Sequence, residues 1–511
     1  MKKWTSILII LCTLGMIAWG LFRPTREASK LNHLLSITSE AIDYDRTINI
    51  WGDDWLGYMV FRSAKFQRLL DPHKIKVNFE IVADFSKRIQ GLHSGECEFA
   101  VATLDSYLAN ANDSHWPAAI IFVVDESYGG DAIVGLSHLS NIDDLNKPEI
   151  KGSFVGFSPS EFFLRSEVSH FKLENLRPQL ERFRSNDIKE SYQALAKGKV
   201  DFAVLWEPQV TQALKKIQGA KVLIDTRHAQ GLIIDIALAS RKVISDEPKL
   251  AELITHAYFK ALHEYLNNPN DFIDAAARDS GEKTSQAQIM TNGIKFATFE
   301  ENHTYWLSSA SQSDPPIIQS IAHIKSILDD HELSSPIPRN DPYALIYRGI
   351  LDRLQNSPHT IPPASTSVPA IKRLKKFYDP LSEEAWKQLS QKVRGTLIDQ
   401  PITFRPGSTA IPEDFQILIQ EATPILNHYP DYRIIVEAHV SPSDQPDLDQ
   451  QLSEQRAQAV KNYLIEACQI SQNRIYAYGK GSSELPQRLE GESIRAYNKK
   501  ARRAKILLVG D

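Results

Sequence analysis

The strongest constraint on the fold is an alternation of short β-like runs with helical stretches between Thr47 and about Ala239. Amphipathic pieces such as Met59–Leu70 and Ile188–Lys197 separate the apolar runs. This alternation predicts an α/β fold with mostly parallel sheets, in which ligands bind beyond the carboxyl ends of the strands. The candidate strands are Ile48–Trp51, Val77–Val82, Phe99–Thr103, Ala118–Val124, Ala132–Leu136, Phe154–Phe157, Phe202–Leu205, Val222–Ile224 and Ile233–Ala239.

Further changes in pattern divide the chain, because 511 residues are too many for one hydrophobic core. From Glu247 to Leu354 the pattern is mainly helical. Residues 356–371 then carry four prolines without periodicity, which predicts a polyproline-like linker. We therefore expect an α/β domain at 47–355, a linker at 356–371 and a separate α/β domain at 380–511.

The N-terminal segment Trp4–Phe22 is a run of 19 uncharged residues between two lysines and two arginines. A helix of this length nearly spans a hydrocarbon core of about 30 Å. A cleaved signal peptide is the alternative, but no A-x-A site follows, and the run exceeds the usual apolar region of about 7–15 residues. We expect residues 1–30 to hold an uncleaved transmembrane helix, whose basic flanks leave its orientation open.

Charge and cysteine content exclude several classes of protein. A net charge of −5 gives no reason to expect nucleic acid as a partner. Cys12, Cys97 and Cys468 are too few and too far apart for a disulfide scaffold or a CxxC metal site. Because no GxSxG, HExxH or P-loop motif occurs either, we expect no enzyme, no metal and no cofactor.

Four stretches between residues 47 and 345 resemble the receptors of ABC importers for nitrate, sulfonate and thiamine pyrimidines. They are INIWGDDWLGY (48–58), LHSGECEFAVATLDSY (92–107), VVDESYGGDAIV (123–134) and GKVDFAVLWEP (198–208). The resemblance implies a two-lobed periplasmic-binding-protein domain that closes on a small solute, with an ABC permease as a possible partner.

Polar and aromatic residues follow the candidate strands in these stretches, where the cleft mouth would lie. Aromatic side chains supply apolar walls, and carboxylates supply directional acceptors. The paired glycines of SYGGD fit both a hinge and a close approach of the backbone to a ligand. The candidate ligand-binding residues are Asp53, Trp55, Thr103, Asp105, Gly130, Asp131, Trp206 and Glu207.

Structural alternatives exist for most of these residues. Trp206 could belong to the core, Asp53 could cap a helix, and Gly130 could form an ordinary turn. Asp131 is the sharpest candidate, because it precedes the apolar run AIVGL, where a carboxylate needs a partner.

The composition of the candidate cleft bears on the charge of the solute. Carboxylates and aromatic rings favour a cationic or hydrogen-bond-donating solute, such as a heterocyclic amine. Nitrate or sulfonate would call for basic side chains or bare backbone N–H groups. Yeast thiamine-pyrimidine synthase is similar in architecture, but its cysteine-rich active segment has no counterpart here, since Cys97 stands alone in the domain.

Residues 402–508 resemble the C-terminal domain of OmpA, which binds peptidoglycan. The resemblance is carried by ITFRPGSTAIP (402–412), YRIIVEAHV (432–440), LSEQRAQAVKNYLIEACQISQNRIYAYGKGSSELP (452–486) and ARRAKILL (501–508). It implies a βαβαβαβ domain in the periplasm, where an aspartate binds the ammonium group of the peptidoglycan stem and an arginine binds its carboxylate.

The arginine is retained as Arg456, expected in the first turn of a helix capped by Ser453, whereas Ser441 stands in the aspartate position. We therefore predict a weakened peptidoglycan site at Ser441 and Arg456. Arg456 could instead form a structural salt bridge, and the domain could have become a protein-interaction module. One of the loop acids could also supply the missing carboxylate. These acids are Asp444, Asp447 and Asp449.

Together these features predict a solute-binding protein of the bacterial envelope. It would be a single-pass inner-membrane protein with the bulk of the chain in the periplasm, tethered to the cell wall by the OmpA-like domain, and it would serve ABC transport or sensing. The alternative is an envelope adaptor or signalling protein whose two domains bind proteins.

Overall fold

The computed structural model describes residues 42–111, 115–308, 314–333, 335–356, 361, 378–398 and 401–510. The predicted transmembrane segment lies outside the described residues, as does the predicted linker apart from Asn356 and Ile361. Within the described ranges, no helix combines the length and the apolar character needed to cross a membrane.

Sixteen strands are described, and every strand predicted in the first domain is present within a few residues of its expected bounds. In chain order they are β1 (Arg46–Gly52), β2 (Ile75–Ile81), β3 (Phe99–Thr103), β4 (Ala118–Ser127), β5 (Asp131–Gly135), β6 (Gly152–Val155), β7 (Arg184–Ser185), β8 (Phe202–Trp206), β9 (Lys221–Asp225), β10 (Ile234–Ser240), β11 (Ile294–Phe296), β12 (Val393–Thr396), β13 (Ile402–Thr403), β14 (Arg433–Ala438), β15 (Ile475–Gly479) and β16 (Arg503–Val509). The sequence pattern does not predict the short strands β7, β11 and β12.

The α-helices surround the sheets and alternate with the strands. They are α1 (Met59–Arg62), α2 (Ala64–Leu70), α3 (Phe85–Ser94), α4 (Leu104–Asn110), α5 (Pro159–Phe171), α6 (Ile188–Ala196), α7 (Gln209–Lys216), α8 (Arg241–Asp246), α9 (Pro248–Leu266), α10 (Pro269–Ser280), α11 (Thr284–Thr291), α12 (Phe299–Glu301), α13 (Pro316–Asp330), α14 (Gly349–Gln355), α15 (Glu383–Leu389), α16 (Glu413–Ala422), α17 (Pro446–Glu466) and α18 (Ile494–Ala501).

The first domain consists of two lobes, each built on its own sheet. The strand order is β11-β4-β10-β3-β1-β2 in the first lobe and β7-β6-β8-β5-β9 in the second. The prediction of mostly parallel sheets is wrong, since β10 is antiparallel to β3 and β4, and β5 is antiparallel to β8 and β9. The physical reason is that the chain leaves the first lobe after β4 and returns in β10, so these two strands run in opposite directions.

Two crossovers, 128–130 and 226–233, join the lobes. The hydroxyls of Ser127 and Thr226 lie 2.8 Å apart, and the amide of Gly129 donates to the Thr226 hydroxyl at 2.7 Å. Gly129 has a φ of +96°, which a side chain would strain. At Gly130 a Cβ would come within 2.4 Å of the Trp55 ring. Both glycines are therefore required by the crossover itself.

The C-terminal domain has the predicted order β13-α16-β14-α17-β15-α18-β16, with β12 and α15 added before it. In its sheet β14 pairs in parallel with β15 and antiparallel with β16. The predicted helix start at Ser453 is wrong, because α17 begins at Pro446. Ser453 lies inside the helix, donates to the carbonyl of Gln450 and accepts the amide of Gly481. Proline is favoured at the first helical position, so the helix begins at Pro446 without a serine cap.

Candidate functional site

The two lobes meet around an inner cavity of about 20 Å³, at the carboxyl ends of β1, β3 and β8. This volume holds about one water molecule. Five of the predicted ligand-binding residues line it, namely Asp53, Trp55, Thr103, Asp131 and Trp206. The other lining residues are Tyr58, Phe85, Pro159, Ile233 and Asp235.

A larger outer pocket of about 220 Å³ lies next to the inner cavity. The two share Asp53, Phe85 and Trp206 in their walls. The remaining lining residues of the outer pocket are Asp54, Ile81, Ala83, Val155, Asn186, Asp187, Ile188 and Lys189. A solute larger than water therefore has room towards the cleft mouth rather than at the centre of the inner cavity.

Asp53 is held by a buried ion pair with Arg88. The Arg88 Nη2 atom lies 3.0 Å from Asp53 Oδ2, and the remaining guanidinium donors go to the carbonyls of Val82 and Val101. The other carboxylate oxygen of Asp53 accepts the amide of Trp55 at 3.0 Å. Sequence reasoning missed Arg88, which sits on α3 as one of several basic residues, with no local sign that it points inward.

Asp131 begins β5 and pairs in register with Trp206 on β8. Burial raises the pKa of Asp131 to about 7, against a hydrogen bond from Ser127 that lowers it, and the charge of Asp53 adds to the increase. The indole N–H of Trp206 has no hydrogen-bond partner among the described residues. The second lobe thus presents one titratable acceptor and one available donor at the cavity.

Two further buried aspartates stand in the first lobe, and sequence reasoning missed both. Asp125 on β4 and Asp235 on β10 are register neighbours, and the charge of Asp125 acts on Asp235. The hydroxyl of Tyr58 donates to Asp235, and the indole of Trp55 donates to Asp125 at 3.4 Å. Burial raises the pKa of Asp125 to about 8 and that of Asp235 well above its usual value. The available signal was an acid directly after the apolar run AAIIFVV, where Glu126 follows Asp125, and a single acid inside the apolar run IIDIA.

The other three predicted residues do not line the inner cavity. Asp105 lies behind Thr103, where burial raises its pKa to about 7. Gly130 packs against Trp55. Glu207 accepts the amide and the hydroxyl of Thr211 at 3.1 and 2.8 Å, so its carboxylate is engaged by the first turn of α7.

Arg456 is fully buried in the C-terminal domain and contacts backbone carbonyls. Its Nε donates to Ser408 O at 2.9 Å and its Nη2 to Arg405 O at 3.1 Å, with the guanidinium over the Phe404 ring. The Nη1 atom has no partner among the described residues. Burial, with the nearby charge of Arg502, lowers the pKa of Arg456 to about 10. This geometry leaves one buried donor without a partner among the described residues, and it is not a salt bridge.

The acids that could replace the family aspartate are not equivalent. Ser441 follows β14 and is half-buried. Asp449 is buried and accepts hydrogen bonds from Ser443 and Ser482, so its oxygens hold the loop together. Asp444 and Asp447 are exposed.

One cluster in the C-terminal domain has the spacing of a metal site. Ligand atoms of Glu437, His439 and Glu484 lie within 4.8 Å of one another. The ammonium of Lys480 bonds both glutamates, at 2.9 and 2.8 Å. Burial alone would raise the pKa of Glu437, but hydrogen bonds from His439, Lys480 and Tyr478 lower that pKa to about 2. The lysine already supplies the positive charge that this cluster requires.

Residues 403–499 match the OmpA family, which confirms the resemblance of the C-terminal domain. No curated protein matches the chain in sequence. Among solved structures, the ligand-binding component of an ABC-type import system from Staphylococcus aureus is 13% identical, with a TM-score of 0.46 over 61% of this chain and 100% of that one. The periplasmic aliphatic sulphonate binding protein SsuA from Escherichia coli is 14% identical, with a TM-score of 0.46 over 59% of this chain and 98% of that one.

The desulfurization enzyme DSZB is also similar, at 10% identity and a TM-score of 0.42 over 61% of this chain and 99% of that one. The class of the first domain follows from its own topology. Two α/β lobes, two crossovers and a cleft at the carboxyl ends of the strands define a periplasmic-binding-protein-like domain. The chain therefore joins a domain of this class to an OmpA-like domain.

Proposed function

We propose that this protein is a non-catalytic envelope receptor that binds a small cationic or hydrogen-bond-donating solute in the cleft between its lobes. The observation that carries the proposal is the set of carboxylates at the inner cavity, Asp53, Asp131 and Asp235. The lining of that cavity, as described, contains no basic side chain. A solute that lies in the outer pocket and directs a water-sized ammonium group into the inner cavity would meet acceptors from both lobes, which is the requirement for a ligand that holds a cleft closed. Lys189, the basic residue in the described lining of the outer pocket, is exposed.

Electrostatics disfavour an anionic solute at this position. A sulfonate or nitrate needs cationic or backbone N–H donors. The Arg88 guanidinium directs its hydrogen bonds to Asp53 and to two carbonyls, and burial has already raised the pKa of Asp131. An anion would raise that pKa further, whereas a cation would lower it. We therefore place this receptor's solute in a different charge class from the sulfonates named for SsuA.

A thermal-shift screen of the full chain tests the proposal. Protonated heterocyclic amines should raise the melting temperature, and alkanesulfonates should not. At 100 times its dissociation constant a solute adds about 2.7 kcal/mol to the free energy of unfolding. Asp131→Asn and Trp206→Ala should abolish the shift, whereas Asp246→Asn, an exposed acid in the first lobe, should keep it. Stabilisation by sulfonates alone would refute the proposed charge class.

We further propose that the protein is anchored in the inner membrane by residues 1–30 and lies mostly in the periplasm, where an ABC permease could receive the solute. Support comes from the apolar run Trp4–Phe22 and from the OmpA-like domain, whose peptidoglycan ligand would be found in that compartment. Peptidoglycan binding would rest on Arg456, whose buried Nη1 atom has no partner among the described residues and would have to be uncovered by the ligand, and it would be weak because Ser441 carries no charge.

The second candidate is an adaptor that binds proteins and no solute. The inner cavity of about 20 Å³ favours it, because the closed lobes leave space for little more than a water molecule. Failure of every amine and every sulfonate in the screen would support this candidate.

A further inference from the structure

The OmpA-like domain rests on the hinge of the receptor. The amide of Gln230, in the second crossover, donates to the carbonyl of His428 at 2.7 Å, and His428 Nδ1 donates back to the carbonyl of Gln230 at 2.7 Å. This reciprocal pair ties the segment before β14 to the chain that must bend when the lobes move.

The same segment faces the other crossover. The charge of Asp431 acts on Tyr128 of the first crossover and on His228 of the second. Burial raises the pKa of Tyr128, and a hydrogen bond with Asp225 raises the pKa of His228. The charge of Asp431 adds to both increases. Residues 428–431 therefore face both connections between the lobes.

Tyr429 extends the contact to the helix that leads to the cleft. Its hydroxyl donates to Glu167 Oε1 at 3.0 Å and lies 2.5 Å from His170 Nδ1, and both partners are buried on α5. Every residue of α5 is buried. Its first residue, Pro159, lines the inner cavity, so one rigid helix connects the cleft to the OmpA-like domain.

His428 also contacts the helix that spans both lobes. Its ring stacks on His323 of α13, with centroids 4.2 Å apart. Helix α13 packs against α4 of the first lobe and against α5 of the second. A change in the angle between the lobes must therefore disturb the surface on which residues 428–431 lie.

This contact leaves the other end of the domain accessible. Residues 428–431 come just before β14, and Ser441 follows its end. This strand separates residues 428–431 from Ser441 by roughly 20 Å, at about 3.3 Å per residue. A domain docked on the hinge can thus still present the Ser441 end to the cell wall.

We propose that residues 428–431 form a brace that favours the closed lobes, so that docking of the OmpA-like domain and closure of the cleft stabilise each other. Reciprocity follows from linkage, because contacts made only with the closed hinge must weaken when the hinge opens. The consequence is that a pull on the domain from the cell wall would favour cleft opening. The receptor would then be coupled to the wall mechanically as well as tethered to it.

The test uses the full chain without solute, so its outcome does not depend on the proposed charge of the ligand. Spin labels at Glu80→Cys and Lys189→Cys, both exposed on opposite sides of the cleft mouth, report the distance between the lobes. The three native cysteines are replaced first, so that only the introduced ones carry a label. They are Cys12, Cys97 and Cys468. A second pair at Glu149→Cys and Lys387→Cys reports docking.

Tyr429→Phe removes the hydroxyl contacts, and Tyr429→Asp places a charge against Glu167. We expect Tyr429→Asp to undock the domain and to raise the ratio of open to closed lobes at least about fivefold, with Tyr429→Phe intermediate. Tyr463→Phe removes a hydroxyl whose hydrogen bond, among the described residues, goes to the carbonyl of Gln416 in its own domain, and should change neither distance. Undocking with unchanged lobes, or a domain that stays docked in Tyr429→Asp, would overturn the brace.

Discussion

Replacing Asp131 with asparagine should stabilise the protein at high pH while it removes solute binding. The pKa of Asp131 is raised from 3.8 to about 7 because burial penalises the charged form. A raised pKa means that the stability contributed by this group is complete below pH 4 and is lost as the pH rises to about 7. Three pKa units at about 1.4 kcal/mol each put the full loss on the order of 4 kcal/mol.

Asparagine has nearly the same shape and cannot ionise, so Asp131→Asn should recover up to that amount at pH 8 and almost nothing at pH 4. Urea unfolding of the wild type and the variant at both pH values measures the difference. Asp246→Asn, at an exposed position, should show no such difference. Equal stability of wild type and Asp131→Asn at pH 8 would refute the argument that the ionised, buried carboxylate of Asp131 lowers the free energy of unfolding.

Three further predictions concern other parts of the chain. Arg88→Met leaves the Asp53 charge buried and unpaired, so the free energy of unfolding measured by urea titration should fall by about 3–5 kcal/mol. Arg182→Met, at an exposed position, should have little effect. Ser441→Asp should restore a charge-assisted contact and increase the affinity of the full chain for purified sacculi roughly 10- to 150-fold, measured by sedimentation at a series of sacculus concentrations, and Arg456→Ala should abolish binding. A reporter fused after Asp511 should be periplasmic and membrane-retained, and a soluble product beginning near residue 28 would show cleavage instead.

Much of the fold follows from local sequence. Strand positions were predictable because apolar runs of four to eight residues alternate with amphipathic stretches, and the cleft residues Asp53, Thr103 and Trp206 were predictable because they end or follow such strands. Strand direction was not predictable. It depends on where the chain crosses between lobes, and no local pattern records that β10 returns beside β4.

The missing part of the site consists of contacts between distant elements. Arg88 reaches Asp53 across 35 positions, and Asp125 meets Asp235 only because β4 and β10 are paired in that register. Sequence alone shows each of these residues as one acid or base among many. The contact of His428 with the hinge was equally hidden, since it joins two domains that a linker separates in the chain.

The charge of the solute is the central claim, and proton exchange on binding tests it most directly. Calorimetric titration near pH 7, in two buffers with different ionisation enthalpies, counts the protons released when an amine or sulfonate probe binds. A cation beside Asp131 must lower the pKa of that carboxyl, so the account predicts net proton release when the wild type binds an amine that is already fully protonated in solution. Asp131→Asn should give no heat of binding. Net proton uptake, the result expected for an anion beside the same carboxyl, would contradict it.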